Sequence, residues 1–235
     1  MQLSARLRGA IALAGQYPLL AGVDLDVREG EILVVRGANG AGKTSLLRVL
    51  AGLLPLSSGD AFVLGLEPLQ DARELRPLVG LLGHRNGLYD DLTAEQNVRF
   101  AVAAARLPRA RASLALERLG LSGQARALPA GKLSAGQRRR VALASLLARQ
   151  PRLWLLDEPH AGLDAEHRRL LDELLREVCS EGATVVLASH EEYLWEALAT
   201  RTVTMAGGTV LDGLLESWLP GGEDAARAVE VTNVA

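Results

Sequence analysis

Short β-like runs stand near the start of the chain: apolar and polar positions alternate around Leu3–Leu7 and Val23–Val27, and an apolar run lies between the charges of Glu31–Arg36. A period of two predicts β-strands. After Arg36 the chain turns through glycines, from Gly37 to Gly42, and the apolar spacing changes to Leu46, Leu47, Leu50. That change predicts a strand, a tight turn and a helix in succession. Strand patterns recur at Gly59–Leu64 and Val79–Leu82. From about Leu92 to Gln150, alanine, leucine and arginine dominate at helical spacing, with breaks near Pro108, Gly120 and Pro129-Ala130-Gly131. This stretch is expected to be a helical subdomain inserted into an α/β body. Strand patterns return at Leu153–Leu156 and Thr184–Ala188, with a helical pattern from about Ala165 to Ser180 between them. Such alternation predicts a parallel sheet. The expected organisation is a single domain over residues 1–218, its helical part at about 92–150, and a fraying Gly-, Glu- and Ala-rich tail over 219–235.

Composition narrows the classes. The chain has 235 residues, 49% of them hydrophobic, enough for a sizeable core. Its net charge of −2 offers no global basic field, so no nucleic-acid partner is expected. One cysteine, Cys179, excludes a disulfide within the chain and fits a reducing compartment. The apolar stretch most suggestive of a membrane span, Gly9 to Val23, is interrupted by Gln16, Tyr17 and Pro18 and followed by Asp24 and Asp26. It suits neither a membrane-spanning helix nor a signal peptide. Any work at a membrane would need spans from another chain.

The strongest chemical signal is Gly37-Ala38-Asn39-Gly40-Ala41-Gly42-Lys43-Thr44, a P-loop pattern. Glycines let backbone N–H groups approach phosphate oxygens without Cβ clashes. The helix that follows, with Ser45 in its first turn, turns unpaired N–H groups and its positive dipole end toward the same anion. Lys43 is expected on the β- and γ-phosphates and the Thr44 hydroxyl on Mg²⁺, which makes ATP with Mg²⁺ the expected ligand. Only Lys43 and Lys132 are lysines among 26 basic residues. Arginine replaces lysine almost everywhere except where a compact ammonium must fit a phosphate cradle.

A second signal is the apolar run Leu153-Trp154-Leu155-Leu156 ending in Asp157-Glu158. A buried strand would deliver both acids to the carboxyl edge of the sheet, where open α/β folds bind ligands. Asp157 is expected to hold Mg²⁺, directly or through water. Glu158 is the candidate general base for an attacking water. The bland alternative is two solvated acids at a strand end.

Leu133-Ser134-Ala135-Gly136-Gln137 opens an Arg- and Ala-rich helix, with Ser134 as its expected N-cap. Together with the P-loop and the acid pair, this chain resembles the ABC ATPase family over roughly residues 3 to 212. The resemblance implies a P-loop NTPase core with an antiparallel β subdomain and an inserted helical subdomain. It implies a homodimer that sandwiches ATP, in which Ser134, Gly136 and Gln137 of one subunit contact the γ-phosphate held by the P-loop of the other. Tyr17 sits where the family stacks an aromatic ring on adenine. Ala161-Gly162-Leu163-Asp164 matches the loop that crosses the dimer interface, and His190 matches the histidine that contacts the γ-phosphate. Blander roles stay open for each: a half-buried aromatic for Tyr17, a helix cap for Asp164, a surface histidine for His190. Arg138-Arg139-Arg140 is expected to be a solvated helix face, and His160 and His167 surface residues.

One departure narrows the family. Most ABC ATPases carry glutamine after the strand corresponding to Val79–Leu82, and here His84 occupies that position, in Gly83-His84-Arg85-Asn86. A neutral imidazole can donate or accept one hydrogen bond, whereas a protonated one would repel Mg²⁺. Leu82-Gly83-His84, Leu92-Thr93-Ala94-Glu95-Gln96-Asn97 and the alanine-containing signature are similar to the CcmA subfamily, the ATP-binding subunits of the haem exporter of cytochrome c maturation. That resemblance implies a CcmB-type integral-membrane permease as partner and a peripheral location at the cytoplasmic face of the cell membrane. Three rivals stay open: a small exporter ATPase for drugs, lipids or metals, a soluble ABC ATPase of DNA repair or translation, and a non-enzymatic module on the same fold.

Overall fold

The computed structural model describes residues 2–190 and 197–211. The expected tail at 219–235 lies outside the described residues. The chain begins with β1 (Leu3–Ala14), β2 (Tyr17–Arg28) and β3 (Ile32–Arg36), followed by α1 (Lys43–Leu50), β4 (Ser58–Val63), the short α2 (Ala72–Leu75) and β5 (Val79–Leu82). Four helices follow: α3 (Ala94–Ala104), α4 (Ala110–Arg118), α5 (Gly123–Ala127) and α6 (Ala135–Arg149). The chain then returns to a sheet with β6 (Leu153–Asp157), α7 (Ala165–Ser180), β7 (Thr184–Ala188), β8 (Arg201–Ala206) and β9 (Thr209–Val210).

These strands form two sheets. One is three-stranded and antiparallel, in the order β2-β1-β4. The other is six-stranded, in the order β5-β6-β7-β3-β8-β9, parallel but for β9. The apolar stretch Gly9 to Val23 is the distal half of the β1–β2 hairpin, with register shifts on β1 between Leu7 and Ala10 and between Ala12 and Leu13. Both strands run well beyond the expected Leu3–Leu7 and Val23–Val27.

Every residue of β6 and β7 is buried, as parallel strands covered on both faces must be. Period two then divides their side chains between two cores. Trp154, Leu156, Val185 and Leu187 face the helices α3, α4, α6 and α7. Leu153, Leu155, Val186 and Ala188 face α1 and the antiparallel sheet. Because β6 pairs β5 with Leu156 opposite Leu82, and β7 with Asp157 opposite Ala188, the three strands end level. Val35 of β3 also lies opposite Ala188. The register alone therefore brings the turns after β3, β5, β6 and β7 to one edge.

A candidate nucleotide-binding site

That edge holds a cleft of about 270 Å³, lined by Pro18 and Leu19, by the loop and first helical turn from Asn39 to Ser45, and by His84, Asp157 and Glu158. Gly42, at φ 104°, opens α1 without a side-chain cap. In contrast, α3, α6 and α7 are capped by the side chains of Thr93, Ser134 and Asp164. Uncapped N–H groups at a helix start leave donors and a positive dipole end for an anion. A Cβ at Gly42 would lie 2.9 Å from the Leu19 carbonyl oxygen, and one at Gly37 only 2.3 Å from the Met205 carbonyl oxygen. The loop is thus wedged between β2 and β8, and glycine is required by both close approach and positive φ.

The β8–β9 turn braces this loop from behind. The Gly208 N–H donates to the Ala41 carbonyl at 3.1 Å, and the Ala21 N–H donates to Gly208 at 2.8 Å. Neither strand of this hairpin is evident from the pattern, because Arg201-Thr202-Val203-Thr204 is polar on its outer face and only Val203 and Met205 are buried. Its Gly207-Gly208 pair is the signal that marks the turn.

Lys43 is buried, at 7% exposure, and its ammonium donates to the carbonyls of Gly37 at 2.7 Å and Ala38 at 3.1 Å. The loop's own carbonyls thus hold the ammonium at the mouth of the cradle. The Thr44 hydroxyl donates to Asp157 Oδ2 at 2.8 Å, so the helix start and the strand end meet directly. A hydroxyl and a carboxylate side by side are the hard oxygen donors that Mg²⁺ accepts beside phosphate oxygens.

Glu158 follows in a left-handed conformation, φ +47°, immediately before Pro159. For a non-glycine residue this costs about 1–2 kcal/mol. Its N–H donates to the Ala188 carbonyl at 2.9 Å. Its carboxylate accepts from Ser189 Oγ at 3.1 Å and lies 2.8 Å from His190 Nδ1. The ends of β6 and β7 are therefore tied by side chains as well as by the ladder. Ser189, buried beside His190, belongs to this cluster and was not singled out from the sequence.

The remaining expected site residues lie elsewhere. Tyr17 begins β2 and is 79% exposed, not half-buried, next to the cleft-lining Pro18. Ser134 and Gln137 form a reciprocal capping box, the Gln137 N–H on Ser134 Oγ at 3.2 Å and the Ser134 N–H on Gln137 Oε1 at 2.9 Å. Gly136 packs on the 161–164 loop, where a Cβ would lie 2.7 Å from the Gly162 carbonyl oxygen. Asp164 caps α7, accepting from the His167 N–H at 2.9 Å, and that hydrogen bond, with a second from the His167 ring, holds its carboxyl below the usual range.

Two expectations are corrected. The three arginines of α6 are not a solvated face. Arg139 is 4% exposed and lies beneath the Asp157-Glu158 turn, while the Arg140 guanidinium binds the carbonyls of Leu119 and Gly120. His160 is not on the surface: it is 1% exposed, and its Nε2 lies 2.8 Å from Asp172 Oδ1. A signal for Arg139 was present. Ala142, Leu143 and Leu146, all buried, stand three, four and seven residues beyond it, on the same helix face.

The family model for ABC transporters matches residues 20–161. The "Cytochrome c biogenesis ATP-binding export protein CcmA" of Bordetella bronchiseptica is 47% identical over 178 residues, 75% of this chain and 77% of that protein. The protein of the same name from Nitrosomonas europaea is 36% identical over 201 residues, 85% and 94% of the two chains. Among solved structures, an ATP-binding subunit of an ABC transporter superposes with a TM-score of 0.84 at 24% identity, covering 99% of this chain and 100% of that one. The dimeric bacterial ABC transporter cassette MJ0796 gives 0.80 at 24% identity, covering 88% and 96%. With its phosphate loop, acid pair and α/β architecture joined at one sheet edge, the chain belongs to the ABC transporter family as a CcmA-like ATP-binding cassette.

Proposed function

We propose that this chain is the ATP-hydrolysing subunit of a haem exporter serving cytochrome c biogenesis, working as a dimer with an integral-membrane permease of CcmB type at the cytoplasmic face of the membrane. The observation that carries the ATPase reading is the junction of α1 with the end of β6, Thr44 Oγ1 to Asp157 Oδ2 at 2.8 Å with Glu158 beside it. The export reading rests on the CcmA relatives and on His84, which lines the cleft where the family's glutamine would stand. No described helix is long and apolar enough to cross a membrane, so the spans would belong to the permease.

In this reading the N–H groups of the Gly37–Ser45 loop and the Lys43 ammonium bind the phosphates, and Tyr17 stacks on adenine. Thr44 and Asp157 would hold Mg²⁺, which supplies Lewis-acid neutralisation of phosphate charge when bound. Glu158 orients a water molecule and takes its proton as the water oxygen bonds to the γ-phosphorus and the bond to ADP breaks. His190 contacts the γ-phosphate. Ser134, Gly136, Gln137 and Asp164 serve the nucleotide of the second subunit, which makes ATP a clamp between two copies. A groove between the sheet and the inserted helices suits a permease helix: Leu88, Tyr89 and Phe100 give it an apolar wall, and Arg76, Arg106 and Arg149 give it a basic rim.

The test is Glu158→Gln. Loss of the base is expected to lower turnover roughly 100- to 10,000-fold, while dimerisation driven by magnesium nucleotide, followed by light scattering, persists. Undiminished turnover excludes Glu158 as the base. Co-purification from native membranes of a permease unrelated to cytochrome c biogenesis would overturn the haem reading alone.

A further inference from the structure

Three consecutive arginines on a helix point in three directions, about 100° apart. On α6, Arg138 reaches Asp90 Oδ1 at 2.9 Å, and Arg140 binds the turn at Leu119 and Gly120. Arg139 points inward and places its guanidinium under the end of β6. Its Nη2 donates to the carbonyls of Asp157 at 2.6 Å and Glu158 at 2.7 Å, and its Nε to that of Pro159 at 3.3 Å. Its Nη1 donates to the Gly83 carbonyl at 2.8 Å and to Asn86 Oδ1 at 3.0 Å. A guanidinium has five N–H groups, and here five acceptors meet them.

This arrangement exceeds what packing needs. Burial of the group pushes its pKa down, and only the nearby charges of Asp157 and Glu158 push it back up. A charge is kept under the site, and its N–H groups satisfy carbonyls of two turns that an apolar side chain would leave unpaired. Its acceptors lie on two different segments. One is the left-handed turn at Glu158, a conformation that persists only where its surroundings over-determine it. The other is the loop that starts at Gly83 and carries His84 into the cleft. Arg138, one residue earlier, holds the far end of that loop through Asp90. The rigid planar fork fixes the spacing of these segments, and it is carried on the helix that begins with Ser134.

We infer that Arg139 is a positioning residue: its guanidinium aims the Glu158 carboxylate and ties that aim to the position of α6 and of the His84 loop. The inference rests on Glu158 being the base. A displacement of the inserted helices or of the 83–90 loop is then transmitted to the catalytic turn through one side chain, without passing through the nucleotide.

The test uses the full chain, with steady-state ATPase rates, nucleotide titration and thermal unfolding. In Arg139→Lys a point charge replaces the fork. Turnover is expected to fall roughly 10- to 100-fold, the scale of a 1 Å misplacement of a reacting group, with KM and Kd for ATP changed less than about threefold. In an E158Q background the same substitution is expected to lower the residual rate less than about threefold, since the group that Arg139 aims is no longer a base. Equal losses in the two backgrounds, or a KM that rises as kcat falls, overturn the inference. If R139K is not soluble, the same comparison is made with R139Q; if neither folds, Arg139 is a folding determinant and the inference fails. Normal turnover of E158Q by itself would instead remove the base assignment on which the inference stands.

Discussion

Polar side chains here reach places where solvent cannot, and each is met there by a hydrogen-bonding partner. Lys43 is met by loop carbonyls, Arg139 by the carbonyls of two turns, and His160 by Asp172. Cys179 has a weaker answer, its Sγ donating to the Glu31 carbonyl at 3.8 Å. It lies half-buried at the end of α7, and burial pushes its thiol up to about 11. The folded pKa lies above that of the unfolded chain, so the neutral thiol's contribution to stability is complete below about pH 8.5 and is lost as pH rises toward 11. Alkylation by iodoacetamide under native conditions is therefore expected to reach half its limiting rate only near pH 11. A midpoint at about 8–9, the ordinary thiol range, would contradict this. Lys43, Thr44, Asp157 and Glu158, which the fold brings to one cleft, stand out one by one because the glycine-loop pattern and a strand ending in two acids each restrict residue type and spacing together. The burial of Arg139 shows only when the three arginines are laid on the helical period, which turns the middle one to the face of Ala142, Leu143 and Leu146.

Among the elements, α3 and α6 open with the same device. Thr93 and Gln96 form a capping box at α3 as Ser134 and Gln137 do at α6, so each helix start is determined by four residues of sequence. The loop into α3 needs more. Asn97, buried, donates to the carbonyls of Tyr89, Leu92 and Thr93 and accepts from the Tyr89 N–H at 2.8 Å. Asn97→Ala is expected to destabilise the chain by about 1–3 kcal/mol, because it leaves buried backbone groups unpaired. Urea unfolding followed by far-UV circular dichroism measures this, and a change below about 0.5 kcal/mol would show that water replaces the amide. Buried parallel strands are legible as short unbroken apolar runs, as at Leu153–Leu156 and Val185–Ala188. The β1–β2 hairpin extends well beyond its alternating segments, since Gly9, Gly15 and Gly22, all at positive φ, break the period of two.

At the scale of the molecule, the parallel sheet separates two cores and aligns four turns at one edge. Nucleotide that binds this edge only in the folded state must stabilise the whole chain. ATP at about 100 times its Kd adds roughly 2.7 kcal/mol, a rise in Tm of about 5–10 °C for a chain of this size. Thermal unfolding of E158Q with magnesium ATP should show that shift, and Lys43→Ala should abolish most of it. An equal shift in both proteins would place the nucleotide elsewhere.

Within the sequence lay the identity of the phosphate loop, the acid pair, the helix starts and the alternation of strands and helices, because each is set by local sterics and by residue chemistry over a few neighbouring positions. The tertiary structure alone decided that Ser189 and His190 meet Glu158, that the Gly207-Gly208 turn braces the loop at Ala41, and that Arg139 lies beneath the Asp157-Glu158 turn. Those contacts join segments far apart along the chain. They depend on strand register and helix orientation, which emerge only when both cores are packed at once.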